Sequence, residues 1–174
     1  MDGLMPVGPP LALKFFRLPN KETEKAMNAV ELIKQDHREI EKLLAHFLET
    51  DSENTQEDLY QRIQTALTAH AEMEERVFYP AIKQFAPEQV EEALREYAEV
   101  KQTLAELLDA DLNEDDFETR FEKLMDDVRH HVEEEESPGG ILAVAQQNLD
   151  EESLSELSRQ ILNIRHQIEE DLAA

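Results

Sequence analysis

The 174-residue chain has no cysteine, no tryptophan and only four glycines. Without cysteine there is neither a disulfide framework nor a thiolate metal site, so any metal must be held by imidazole, carboxylate or phenolate. No apolar run approaches the roughly 18–20 residues that a membrane-spanning helix needs. The chain starts with an acidic residue, Asp2, and its apolar stretch at residues 11–18 is broken by Lys14 and Arg17, a poor secretory signal. A cytoplasmic location is the expectation. Positive charge is scarce as well: 17 Lys and Arg stand against 41 Asp and Glu, a net charge of −24. Such a surface repels phosphate and anionic lipid and attracts cations. Neither nucleic acid nor a membrane is therefore expected as a partner. Gly-rich phosphate loops, GxSxG and HExxH are all absent.

What is present is helix-forming composition, in a length that suits a single core. Four stretches carry apolar residues at alternating steps of three and four, the inward row of an amphipathic helix. The first row is Val30, Ile33, His37, Ile40, Leu44 and Phe47. The second is Ile63, Leu67, His70, Glu74, Val77 and Ala81. The third is Val90, Leu94, Tyr97, Val100, Leu104 and Leu107. The fourth is Phe117, Phe121, Leu124, Val128, His131 and Glu135. The gaps at residues 50–55, near Phe85 to Pro87, and at 109–116 are short, which implies antiparallel neighbours. The expected fold is all-α: an up-down-up-down antiparallel four-helix bundle over residues 21–136. An irregular arm (1–20) holding four of the seven prolines precedes it. A linker and a fifth helix (137–174) follow, with Leu154, Leu157, Ile161, Ile164 and Ile168 as its row, packing on the bundle or on a homodimer partner.

The informative feature is what interrupts these rows. His37, His70, Glu74, Tyr97, His131 and Glu135 stand where Leu or Ile belongs. A buried carboxylate without a partner costs about 3–5 kcal/mol, so two in one core call for a cation between them. His70/Glu74 and His131/Glu135 are i,i+4 pairs, one turn apart on one face. There is also an internal repeat. Asp36-His37-Arg38-Glu39-Ile40 returns sixty residues later as Glu96-Tyr97-Ala98-Glu99-Val100, and the His/Glu pair returns after sixty-one. Two helical hairpins related by an approximate two-fold axis would each give one residue from the first helix and a His/Glu pair from the second. Tyr97 then fills the slot of His37. It reads either as a phenolate ligand or as core with its hydroxyl tied to a neighbour. His130 reads as a rim residue, and the run from Glu133 to Glu136 as a solvated face with only Glu135 turned inward. The stretch from Asp109 to Asp115 begins like a calcium loop but has Glu114 in place of its glycine, and reads as a capped interhelix loop.

Leu32 to Ile40, His70 to Pro80 and His131 to Glu136 together resemble the hemerythrin-like family of HHE cation-binding proteins. The resemblance covers residues 28–136 and implies a non-haem di-iron centre inside a four-helix bundle. Its ligand positions fall on His37, His70, Glu74, His131 and Glu135, with the two glutamates bridging the irons. The chain departs from the family at Tyr97, where a histidine is usual, and at Pro138, where the fourth helix meets Pro-Gly-Gly. Imidazole and carboxylate without thiolate suit iron, and manganese less well. The expected cofactor is two iron ions joined by the glutamates and an oxo or hydroxo group. One position would stay open for O2, peroxide or NO. Three uses follow: redox protection, sensing or iron handling; reversible O2 carriage; or an acidic helical interaction module with a degenerate site.

Overall fold

The computed structural model describes residues 27–108 and 115–173. The expected arm (1–20) and the loop at 109–114, with its calcium-like start, lie outside the described residues. Among those described there is helix and no strand. The elements are α1 (Ala29–Glu49), α2 (Glu53–Met73), a π-helical turn (Glu74–Phe78), α3 (Tyr79–Ile82), α4 (Pro87–Leu108), α5 (Asp115–Glu136), α6 (Ile141–Asn148) and α7 (Glu151–Ala173). α1 packs along α2 and α4 along α5, while α1–α5 and α2–α4 contacts close the ring. This is the expected bundle of two hairpins.

Local chemistry sets the boundaries. Asn28 caps α1 by a reciprocal capping box: its side chain accepts from the Glu31 N–H (3.1 Å) and its own N–H donates to the Glu31 carboxylate (2.9 Å). α2 starts without a side-chain cap at Ser52, whose carbonyl accepts from Thr55 and Gln56. Pro87 opens α4, where a missing N–H costs nothing.

The core falls into two apolar clusters. One gathers Ile40, Leu44, Phe47, Ile63, Leu67, Leu104, Phe121 and Leu124, with Phe47 stacked on Phe121 at 4.1 Å between ring centroids. The other gathers Val30, Ile33, Met73, Phe78, Tyr79, Ile82, Val90, Tyr97, Ile141 and Ile161. Along α1 His37, and along α2 His70, fall between residues of the two. In α4 the inward position is Ala93, and Leu94 is 38% exposed. Steps of three and four from Val90 are equally helical, so the row alone left this open.

One departure has a clear cause. α2 does not run straight on: the N–H of Tyr79 bonds the carbonyl of Glu74, five residues back, opening a π turn. Pro80 has no N–H for Arg76, and in an α-helix its ring would strike that carbonyl; the wider turn relieves both. The extra residue shifts the helical phase by about 100°. The inward row therefore passes from Val77 to Ile82, which is fully buried, and Ala81 is left half-buried. Tyr79 is turned onto the face of Glu74.

The segment 137–173 folds back. Leu154, Leu157 and Ile161 of α7 are buried against α1, α2 and the π turn. The Ser158 hydroxyl donates to the carbonyl of Met27 (2.7 Å). The reversal is made at Gly140, the N-cap of α6. A Cβ there would lie 2.3 Å from the Glu134 carbonyl oxygen and 2.4 Å from that of Glu135, whereas one on Gly139 would meet nothing within 4 Å. Gly140→Ala should therefore push the end of α5 aside and cost about 1–3 kcal/mol, as overpacking does. Gly139→Ala should leave stability unchanged. Chemical denaturation of the two variants measures the difference.

Candidate metal centre

His37 comes from α1, His70 from α2, Glu74 from the π turn, and His131 and Glu135 from α5. None is more than 3% exposed. The three histidines each offer a ring nitrogen, and His37 with the two glutamates offers a second set. Within either set the donor atoms all lie within 4.8 Å of one another.

The separations are informative. His37 Nε2 is 3.4 Å from Glu135 Oε2; His70 Nε2 is 3.6 Å from Glu74 Oε2; His131 Nε2 is 3.7 Å from both Glu74 Oε2 and Glu135 Oε2. These gaps are too long for good hydrogen bonds. Among the described residues, the Nε2 atoms of all three histidines, Glu74 Oε1 and Glu135 Oε2 are buried without a hydrogen-bond partner. Buried polar atoms are normally satisfied, and five exceptions clustered together need a cause. A cation bound by nitrogen and carboxylate oxygen would satisfy all five, so the donor set fits a first-row transition metal.

The far side of each imidazole meets an acid. His37 Nδ1 is 2.8 Å from Glu136 and His131 Nδ1 is 2.9 Å from Glu96, both hydrogen bonds; His70 Nδ1 faces Asp36 at 3.7 Å, an ion-pair separation, and has no hydrogen-bond partner among the described residues. An acid behind a ligating histidine fixes its tautomer and aims its other nitrogen. Glu136 is thus not part of a solvated face: it also takes Arg38 at 2.5 Å. His130 is a rim residue, largely exposed and 3.4 Å from Glu96. The repeat explains two of these acids, since Asp36 and Glu96 occupy equivalent places before His37 and Tyr97.

Tyr97 is buried in the second apolar cluster, and its hydroxyl donates to Glu74 Oε2 at 2.5 Å. Tyr79, which the row analysis passed over because it assumed an unbroken α-helix, stands 2.9 Å from Glu74 Oε2 and 2.8 Å from Glu135 Oε1. Its one proton is shared between the two carboxylates. Burial, reinforced by these carboxylates, holds both phenols well above their usual range, so both are protonated.

The remaining charges follow the same field. Burial depresses the imidazoles, but Glu135 and Glu136 outweigh it at His37, raised to about 9, and Glu135, Glu74 and Glu96 do so at His131, raised to about 10. Burial would raise Glu74, yet the imidazoles, His70 foremost, hold it well below the usual carboxylate range. Two imidazolium ions facing two carboxylates can thus balance the cluster when no metal does. A cleft of about 410 Å³ lined by Glu88, Glu92, Glu96 and Glu134 reaches Glu135 from outside. Its acidic walls attract cations.

Comparison with known proteins agrees with this geometry. The hemerythrin HHE cation binding domain matches residues 28–138. A DNA nickase of Nostoc sp. is 28% identical over 147 residues, covering 84% of this chain and 41% of that protein. The chain thus spans about two fifths of that relative's length. The crystal structure of a hemerythrin HHE cation binding domain-containing protein from Mycobacterium kansasii superimposes with a TM-score of 0.70 at 22% identity. The match covers 83% of this chain and 89% of that one. With residues 28–138, more than half of the chain, matching the family and the fold shared, the chain belongs to the hemerythrin HHE cation binding domain family.

Proposed function

We propose that the cluster holds two non-haem iron ions and that the protein reacts with O2, peroxide or NO, in redox protection, sensing or iron handling. One observation carries this reading: five buried donor atoms from three histidines and two glutamates converge without hydrogen-bond partners. His37, His70, Glu74, His131 and Glu135 would hold the ions, and Tyr97, beside Glu74, would be the sixth ligand. Iron supplies one-electron redox chemistry and an open coordination position. The protein's part is to fix the imidazoles through Asp36, Glu96 and Glu136, and to keep water out with the two apolar clusters. Tyr79 holds the two carboxylates together by a shared proton.

Tyr97 separates the uses. A phenolate ligand stabilises Fe(III) over Fe(II), which favours redox chemistry over reversible O2 carriage. Tyr97 donates its hydroxyl proton to Glu74 Oε2, so it would ligate a ferric ion only with that proton given up to solvent. Iron-loaded protein should show a phenolate-to-iron charge-transfer band in the visible, abolished in Tyr97→Phe. His70→Ala and Glu74→Ala should lose iron, and a chelator should lower the Tm of the parent but not of these variants. At a free metal concentration of a hundred times Kd, bound metal adds about 2.7 kcal/mol. That corresponds to roughly 5–10 °C for a domain of this size. Iron retained in both alanine variants would dismiss the ligand set; iron without the band would remove Tyr97 alone. Chelator-insensitive stability in the parent would instead favour an interaction module with a degenerate site.

Proton linkage gives an independent check. The histidine values, raised above 6.5, mean that the metal-free fold draws stability from His37 and His131 protonation. This contribution is complete below pH 6.5 and disappears as pH rises through 9 to 10. A metal must displace these protons. Metal-free Tm should fall across that window while metal affinity rises. Calorimetry at pH 7.5 in buffers of different ionisation enthalpy should show two protons released, one from each of these histidines. No release would place the metal elsewhere.

The relative named as a DNA nickase raises a second reading, DNA cleavage. The net charge of −24 and the acidic cleft weigh against phosphate approach. Iron-loaded protein should leave supercoiled plasmid intact at physiological salt; metal-dependent nicking lost in Glu74→Ala would establish the second reading.

A further inference from the structure

We propose that Arg165 is a positioning residue for His70, acting through Asp36, so that the C-terminal helix α7 is a working part of the metal centre. The proposal rests on the reading of the cluster as a metal site. Arg165 lies outside the span matched by the family, residues 28–138. It follows Ile161 by one turn on the inward row of α7 and is only 6% exposed. Its Nη2 bonds both carboxylate oxygens of Asp36, itself 7% exposed. Asp36 Oδ2 in turn faces His70 Nδ1 at 3.7 Å.

The internal repeat shows what this arrangement adds. Glu96, the counterpart of Asp36, reaches His131 Nδ1 directly at 2.9 Å. Asp36 is one methylene shorter and stands farther from its imidazole. Arg165 fixes the place of that shorter carboxylate by holding both of its oxygens. A carboxylate held in that place faces His70 Nδ1 and favours a proton on that nitrogen, the tautomer that leaves Nε2 free for a metal.

A purely structural role explains the pair less well. A buried ion pair is often no more stabilising than well-packed apolar residues, because both ions lose their hydration. The apolar row of α7 and the bond from Ser158 to Met27 already dock the helix. An apolar side chain at 165 would serve docking equally, but it could not orient a carboxylate.

The experiment uses the full chain loaded with iron and follows release to an external chelator. Arg165→Met should release iron about 10–100-fold faster, the usual effect of losing an outer partner of a metal ligand. Arg165→Lys should recover part of the loss. Asp36→Asn should accelerate release by itself, and adding Arg165→Met to it should add little, because the two act in series. Ser158→Ala should loosen α7 and lower the Tm without accelerating release. Unchanged release in Arg165→Met, or in Arg165→Lys should the former not fold, would overturn the proposal. So would full additivity with Asp36→Asn, or equal acceleration by Ser158→Ala. A parent protein that takes up no iron would instead defeat the metal reading itself.

Discussion

The structure depends on the electrostatic balance of Glu74 and Glu135 in the dry middle of a helix bundle. Two carboxylates there are tolerable only beside positive charge. The fold offers two ways to supply it. Protons on His37 and His131 do so in the metal-free chain, and a metal displaces them when bound. Protons balance the charge but leave the Nε2 atoms 3.4–3.7 Å from the carboxylates. A metal would satisfy the same atoms at shorter range. The difference between these two solutions is what makes the cluster a receptor rather than a structural ion pair.

Everything around the cluster serves that choice. Apolar clusters on both sides along the bundle exclude water and strengthen the field. Three acids stand behind the three imidazoles. In the internal repeat Tyr97 answers to His37, and the consequence of that difference is visible one shell out. Glu136 holds His37, but its counterpart Glu75 has only a tyrosine to serve, and pairs instead with Lys101 at 2.5 Å near the surface. With Tyr97 in place of an imidazole, Glu75 turns to Lys101 and Glu74 gains a hydroxyl donor. The C-terminal helix enters the same ring of outer charges through Arg165.

Much of this was legible in the chain. The bundle followed from four amphipathic rows with short gaps, and the six seam residues from polar side chains where apolar ones belonged. All six are buried together. What escaped notice has physical reasons. Tyr79 and Ile82 were hidden because a straight-helix count cannot foresee the phase shift of a π turn, although Pro80 marks the place. Leu94 and Ala93 fit the row equally, because two step sizes are equally helical, and only packing selects Ala93. Glu136 and Glu96 were lost among a surplus of surface acids: with 41 in the chain, an orienting carboxylate looks like any other. Arg165 was the one avoidable omission. A cation in the apolar row of α7 is the same kind of signal as a histidine in the rows of the bundle. The closeness of Gly140 to the α5 carbonyls is a tertiary fact, which Pro138-Gly139-Gly140 announces only as a turn.

Anomalous diffraction from crystals of the iron-loaded protein, collected on both sides of the iron edge, would test the central claim most directly. The account predicts two iron peaks enclosed by His37, His70, His131, Glu74 and Glu135, with both carboxylates facing them. A cluster without anomalous signal, its histidines still paired with the glutamates, would contradict it, as would iron bound only along the acidic surface.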